Sequence, residues 1–107
     1  MTTFDEREKG FEKKFAHDAE LKFKAESRRN KMLAEWAGAK MGMSSEEITD
    51  YIKQVRRADL EEAGDDDVFR KLRGDFDVKG VSVTDAELRE QMHTLLAKAV
   101  SDVESSS

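Results

Sequence analysis

Apolar positions recur along this chain at helical spacing, and almost no stretch favours a strand: proline is absent, Val, Ile and Thr are sparse, and Ala, Leu, Lys, Glu and Arg dominate. The first apolar series is Phe4, Phe11 and Phe15. Offsets of 7 and 11, at about 100° per residue, place the three rings on one narrow stripe of a helix. Thr3 followed three residues later by Glu6 is a capping box, and Asp5 and Glu6 set anions in the first turn, where the helix dipole favours them. A second series, Leu21, Ala25, Met32 and Trp36, lies on a face rotated away from the phenylalanines. The two stretches therefore serve different surfaces. The junction falls at His17 and Asp18, with Asp18 placed to cap a helix running to about Met41, before Gly42 stops it.

Three further helices follow. Ser44 and Glu47 form a second capping box ahead of Ile48, Tyr51, Ile52 and Val55, in a helix that ends before Gly64. Asp65 or Asp66 caps a short third helix carrying Val68, Phe69 and Leu72 inward and ending at Gly74. The run DFDVKGVSV reads as a loop, after which Thr84 and Glu87 cap a last helix with the stripe Leu88, Met92, Leu95, Leu96, Ala99 and Val103. The predicted fold is all-α: a small four-helix bundle over residues 18–104, a flexible or marginally helical N-terminal arm over 1–17, and a disordered tail over 105–107.

Two polar residues interrupt apolar stripes, Arg28 between Ala25 and Met32, and Asp59 one turn beyond Val55. Either each reaches separately to the edge of the core, its stem covering apolar surface, or the two pair across helices 1 and 2.

Composition narrows the function. In 107 residues, 40% charged and 37% hydrophobic, one thin core can form, and some segment must be left loosely held. The net charge of −5 argues against nucleic acid, whose binders gather affinity from excess Lys and Arg. With no cysteine, disulfides, thiolate metal sites and thiol nucleophiles are excluded. No apolar run approaches the roughly 20 residues of a membrane-spanning helix, so no direct membrane insertion is expected.

Catalytic chemistry is hard to find. His17 and His93 have no Ser, Cys or carboxylate partners at motif spacing and read as solvated histidines. Asp75, Asp77 and Gly80 match three positions of a calcium loop, but Lys79 and Ala86 stand where ligand oxygens are needed. The acids Asp65, Asp66 and Asp67 are explained by their place at a helix start. We expect no metal, no cofactor and no enzymatic activity. The polar run Arg28, Arg29, Asn30, Lys31, with Trp36 farther along the helix, is the one candidate for an adenine nucleotide or an acidic partner. Its alternative is a solvated helix face with Trp36 in the core. The arm carries the stronger signal, because three phenylalanines in a charged segment need covering, either by folding back on the bundle or by a partner. Gly10, in mid-segment, costs about 1 kcal/mol of helix stability relative to alanine, which favours ordering on contact.

The strings FDEREKGFEKKFAHDAELKFKAESRRNKMLAEWAG and EEAGDDDVFRKLRGD resemble the zeta subunit of alphaproteobacterial F-type ATP synthases, and the resemblance covers nearly the whole chain. It implies a four-helix protein that inhibits ATP hydrolysis by the soluble catalytic head. Its N-terminal segment would enter an interface of the alpha and beta subunits near the gamma shaft and block rotation. On this sequence the inhibitory element would be Phe4, Phe11 and Phe15 as apolar anchors, with Asp5, Glu6, Arg7, Glu8 and Lys9 setting register. The resemblance implies a protein monomeric when free, cytoplasmic, and associated with the membrane-bound synthase. The alternative is a helical adaptor or adenine-nucleotide-binding protein using Arg28, Arg29, Lys31 and Trp36.

Overall fold

A computed structural model describes residues 19–61 and 64–106, and these form four helices joined by short turns. Helix α1 spans Ala19–Lys40, α2 Ser45–Ala58, α3 Asp66–Lys79 and α4 Asp85–Ser106. The expected arm, with Phe4 to Lys9, Phe11, Phe15 and the Asp18 cap, lies outside the described residues.

The starts of α2 and α4 follow from local chemistry. At α2 both halves of the capping box are made: the Glu47 amide donates to the Ser44 hydroxyl at 3.2 Å, and the Ser44 amide donates to the Glu47 carboxylate at 3.0 Å. At α4 the Glu87 amide donates to the Thr84 hydroxyl at 3.1 Å, and that hydroxyl donates to the Glu87 carboxylate. Helices α1 and α3 end alike. Gly42 and Gly80 take positive φ, 72° and 70°, and the next amide reaches back five residues, Met43 to Gly38 and Val81 to Phe76, both at 2.9 Å. That closure needs a left-handed residue, which glycine adopts without a Cβ penalty.

The third helix corrects the sequence expectation. It does not stop at Gly74 but runs 14 residues to Lys79, absorbing most of the predicted loop. Phe76 explains the difference: it is fully buried, and its ring meets Trp36 edge-on at 5.7 Å. Burying a phenylalanine contributes about 1.5–3 kcal/mol, more than the roughly 1 kcal/mol that a mid-helix glycine costs. The expected tail also shortens, since α4 continues through Ser106, its last turns anchored by buried Val103.

Helix α1 is the hub, packed chiefly on α4 and α2. The main core joins Leu33, Ala34 and Ala37 of α1 to Tyr51 and Val55, to Val68, Leu72 and Phe76, and to Val83, Leu88 and Met92. A second, smaller cluster joins Ala25 to Val100 and Val103 where the start of α1 lies along the end of α4. Leu21, Met32, Trp36, Leu95 and Leu96 are only partly buried. Between the two apolar clusters α1 contributes a polar layer, Arg29 and Asn30.

Candidate functional site

The polar layer is built by the α1 positions Ala25, Arg29, Leu33 and Ala37, spaced four apart and all buried, so that one guanidinium enters the interior in an otherwise apolar file. Its charge is answered from two directions. Arg29 Nη1 donates to Asp65 at 2.9 Å, Nη2 to Asp59 at 3.5 Å and Nε to the side-chain oxygen of Asn30 at 2.8 Å. The Asn30 amide nitrogen in turn donates to the second Asp59 oxygen at 2.8 Å. Asp59 is the C-terminal cap of α2, where the helix dipole disfavours an anion, and the two α1 donors offset that placement. Asp65 stands at the N-cap of α3 yet makes no side-chain cap bond, its carboxylate being turned to Arg29 instead. One arginine thus ties the end of α2 and the start of α3 to the middle of α1. No buried side-chain donor or acceptor among the described residues lacks a partner.

The expected alternatives for Arg28 and Asp59 are both replaced. Arg28 faces the other way, pairing with Asp102 of α4 at 3.1 Å, and Arg29 is the partner of Asp59. In a run of four polar residues, residue type alone does not mark that Arg29 and Asn30 turn inward. The four-residue series from Ala25 through Leu33 to Ala37 was the available signal, and it passes through Arg29.

Outside this layer, α1 and α2 leave a groove. Phe23 and Ser27 form one wall, Arg56 and Leu60 the other, with Asn30 and Asp59 in the floor and Glu26 beside them. Arg56 Nη2 reaches the Ser27 carbonyl oxygen across it at 3.5 Å. Burial pushes the Glu26 carboxyl above its ordinary range, aided by the negative charge of Asp59, and burial likewise raises Asp59. Phe23 and Leu60 are 65% and 76% exposed, large apolar side chains turned outward at the mouth of one concavity. A shallower hollow continues past Phe23 and is rimmed by Lys24, Arg28, Lys31 and Arg56. Sequence reasoning missed Phe23 and Leu60, which stand off the main apolar stripes.

Of the nucleotide candidates, Arg28 and Lys31 meet at this hollow, whereas Arg29 is withdrawn into the network. Trp36 packs on Phe76 with the Lys40 ammonium over its ring at 5.4 Å. The calcium-loop residues sit on or just after α3, Asp75 accepting from Tyr51 at 2.7 Å and pairing with Lys71, Asp77 pairing with Arg73. The Tyr51 hydroxyl is held protonated by burial and by that carboxylate. Of the three acids, Asp65 meets Arg29, Asp66 pairs with Arg89, and buried Asp67 accepts from the Val68 amide. Among the described residues no group of three or more His, Cys, Asp or Glu is placed to hold a metal ion. His93 is exposed, and His17 lies outside the described residues.

A family model described as ATPase inhibitor subunit zeta matches residues 1–102. The chain belongs to this family. A solved solution NMR structure is similar to it at 39% identity with a TM-score of 0.70, covering 81% of this chain and 99% of that one. No curated protein matches. The resemblance noted in the sequence thus holds over residues 1–102, and as a zeta-family member the chain has an inhibitory, regulatory role. No described helix is long and apolar enough to cross a membrane.

Proposed function

We propose that this zeta-family chain restrains ATP hydrolysis by the catalytic head of an F-type ATP synthase, its residues 1–17 entering an interface of the alpha, beta and gamma subunits and blocking rotation. The observation that carries this reading is the match of the inhibitor-subunit family over residues 1–102, which includes the arm together with the bundle. Inhibition of this kind is mechanical and asks for no catalytic group in the chain. What it asks for is an insertable segment mounted on a body that stays folded while the head pushes against it.

The arm's composition suits insertion. Phe4, Phe11 and Phe15 supply a narrow apolar ridge, and Asp5, Glu6, Arg7, Glu8 and Lys9 supply charges that select one register in a polar interface. Gly10 raises the cost of forming the helix alone, so order comes from the partner. The bundle suits the mount, because α1, which follows the arm directly, is held on both sides by α4 and α2 and pinned by the Arg29 network.

The deciding experiment adds the full chain, and a chain lacking residues 1–15, to purified synthase heads from the same organism. The full chain should slow hydrolysis and the truncated one should not. Equal rates with both would remove the arm from the mechanism.

A further inference from the structure

The groove between α1 and α2 opens beside the start of α1, one helical turn from the point where the arm joins the bundle. Exposed apolar residues scattered singly are ordinary on a protein surface, but Phe23 of α1 and Leu60 of the turn after α2 line one concavity. The arm brings three more phenylalanines.

We propose that this groove is the resting seat of the chain's own N-terminal arm, the ridge of Phe4 and Phe11 covering Phe23 and Leu60 when the arm is not engaged with a partner. The proposal rests on the inhibitory reading of the arm for its consequence, though not for the contact itself.

Reach permits it. A reversal within residues 13–18 lays residues 3–12 antiparallel to α1, and ten residues span about 15 Å as a helix or up to about 33 Å extended. The groove runs from Phe23 to Asn30 along α1, about 10 Å at 1.5 Å per residue. Charge is complementary as well. Residues 3–12 carry four acids, Asp5, Glu6, Glu8 and Glu12, against two bases, Arg7 and Lys9, and the rim of the adjoining hollow carries Lys24, Arg28, Lys31 and Arg56. Glu26 and Asp59, which also line the groove, make it unwelcoming to an anion and leave the apolar ridge as the group that fits there.

The functional consequence is a population of arms held out of action. An arm seated nine-tenths of the time binds its target with an apparent affinity lowered by about tenfold, and weakening the seat restores it.

The chain has no cysteine, so Thr3→Cys provides a unique attachment point for a nitroxide on the full-length protein. In dilute isotope-labelled protein the spin label should broaden the amide signals of Phe23, Ser27, Arg56 and Leu60. The substitutions Phe23→Ser and Leu60→Ser, both at exposed positions and compatible with the fold, should abolish that broadening together. Absence of broadening in the groove overturns the proposal. So does equal broadening when the spin label sits on a separate, unlabelled copy, which would make the occupant a second chain. In the hydrolysis assay the Phe23→Ser, Leu60→Ser double variant should reach half-inhibition at about tenfold lower concentration. Unchanged or weaker inhibition overturns the resting-seat role, the weaker outcome assigning the groove to the head itself. Loss of inhibition in every variant, with the broadening intact, would refute the inhibitory reading and leave the arm contact standing.

Discussion

Arg29 of α1 donates to Asp59 at the end of α2 across 3.5 Å, with the guanidinium wholly buried and the carboxylate side chain 13% exposed. A charge in that position is stable only while its partners remain. Removing one side of a buried pair leaves the other uncompensated, at a cost of about 3–5 kcal/mol, whereas replacing both with apolar groups can be nearly neutral.

Asp59→Ala should therefore lower the unfolding free energy by about 3 kcal/mol, read by urea denaturation. Asp65→Ala should cost about 1 kcal/mol, since the Asp65 side chain is 40% exposed and water can take its place. In a double-mutant cycle, Arg29→Met combined with Asp59→Leu should cost less than the sum of the single changes. Additive losses would mean that the two charges do not support each other.

Glycines in α1 and α3 should respond to alanine in opposite directions. A Cβ on Gly38 would lie 2.7 Å from Ile48 Cγ1, so Gly38→Ala must displace the Ile48 side chain or part α1 from α2, and we expect a loss of about 1–3 kcal/mol. A Cβ on Gly74 meets nothing within 4 Å, so Gly74→Ala should raise stability by about 1 kcal/mol through helix propensity alone. Thermal melts of the two variants, shifted downward and upward respectively, check both.

Phe76→Ala should cost about 3–5 kcal/mol, because it removes the buried ring that meets Trp36 edge-on. It should also loosen the last turn of α3, exposing the amides of residues 77–81 to faster hydrogen exchange than in the natural chain. Unchanged exchange at residues 77–81 would show that Phe76 does not anchor the end of α3.

Stability should depend on pH with two opposite slopes. The folded chain raises the pKa of Glu26, so at pH values above the ordinary 4.5 it binds more protons than the unfolded chain, and stability falls as pH rises through that window. Glu26→Gln should flatten this decline. Glu47 behaves oppositely: the Ser44 amide holds its pKa below 4.5, so its contribution is present above that value and is lost as pH falls beneath it. Denaturant midpoints measured from pH 3 to 7 for the natural chain, Glu26→Gln and Glu47→Gln separate the two. An unaltered profile in Glu26→Gln would dismiss its part.

Local chemistry by itself determined much of this protein. The capping pairs Ser44–Glu47 and Thr84–Glu87 set the starts of α2 and α4, because a side-chain oxygen three residues from an unpaired amide acts whatever lies beyond. The apolar stripe of α4 and the inward face of α2 were legible for the same reason. The strings shared with the zeta family were equally plain. The tertiary structure decided what depends on neighbours distant in sequence. Gly74 reads as a helix end until Phe76 finds Trp36, and the gain from burying that ring exceeds what the glycine costs. Arg28 and Arg29 are indistinguishable as letters, and only the packing of α1 between α2 and α4 turns Arg29 inward and Arg28 toward Asp102. Phe23 and Leu60 likewise became a pair only when the packing of α1 against α2 and the turn after it placed them at one groove, since an exposed side chain leaves no periodic trace in the sequence and its meaning lies in what stands across from it.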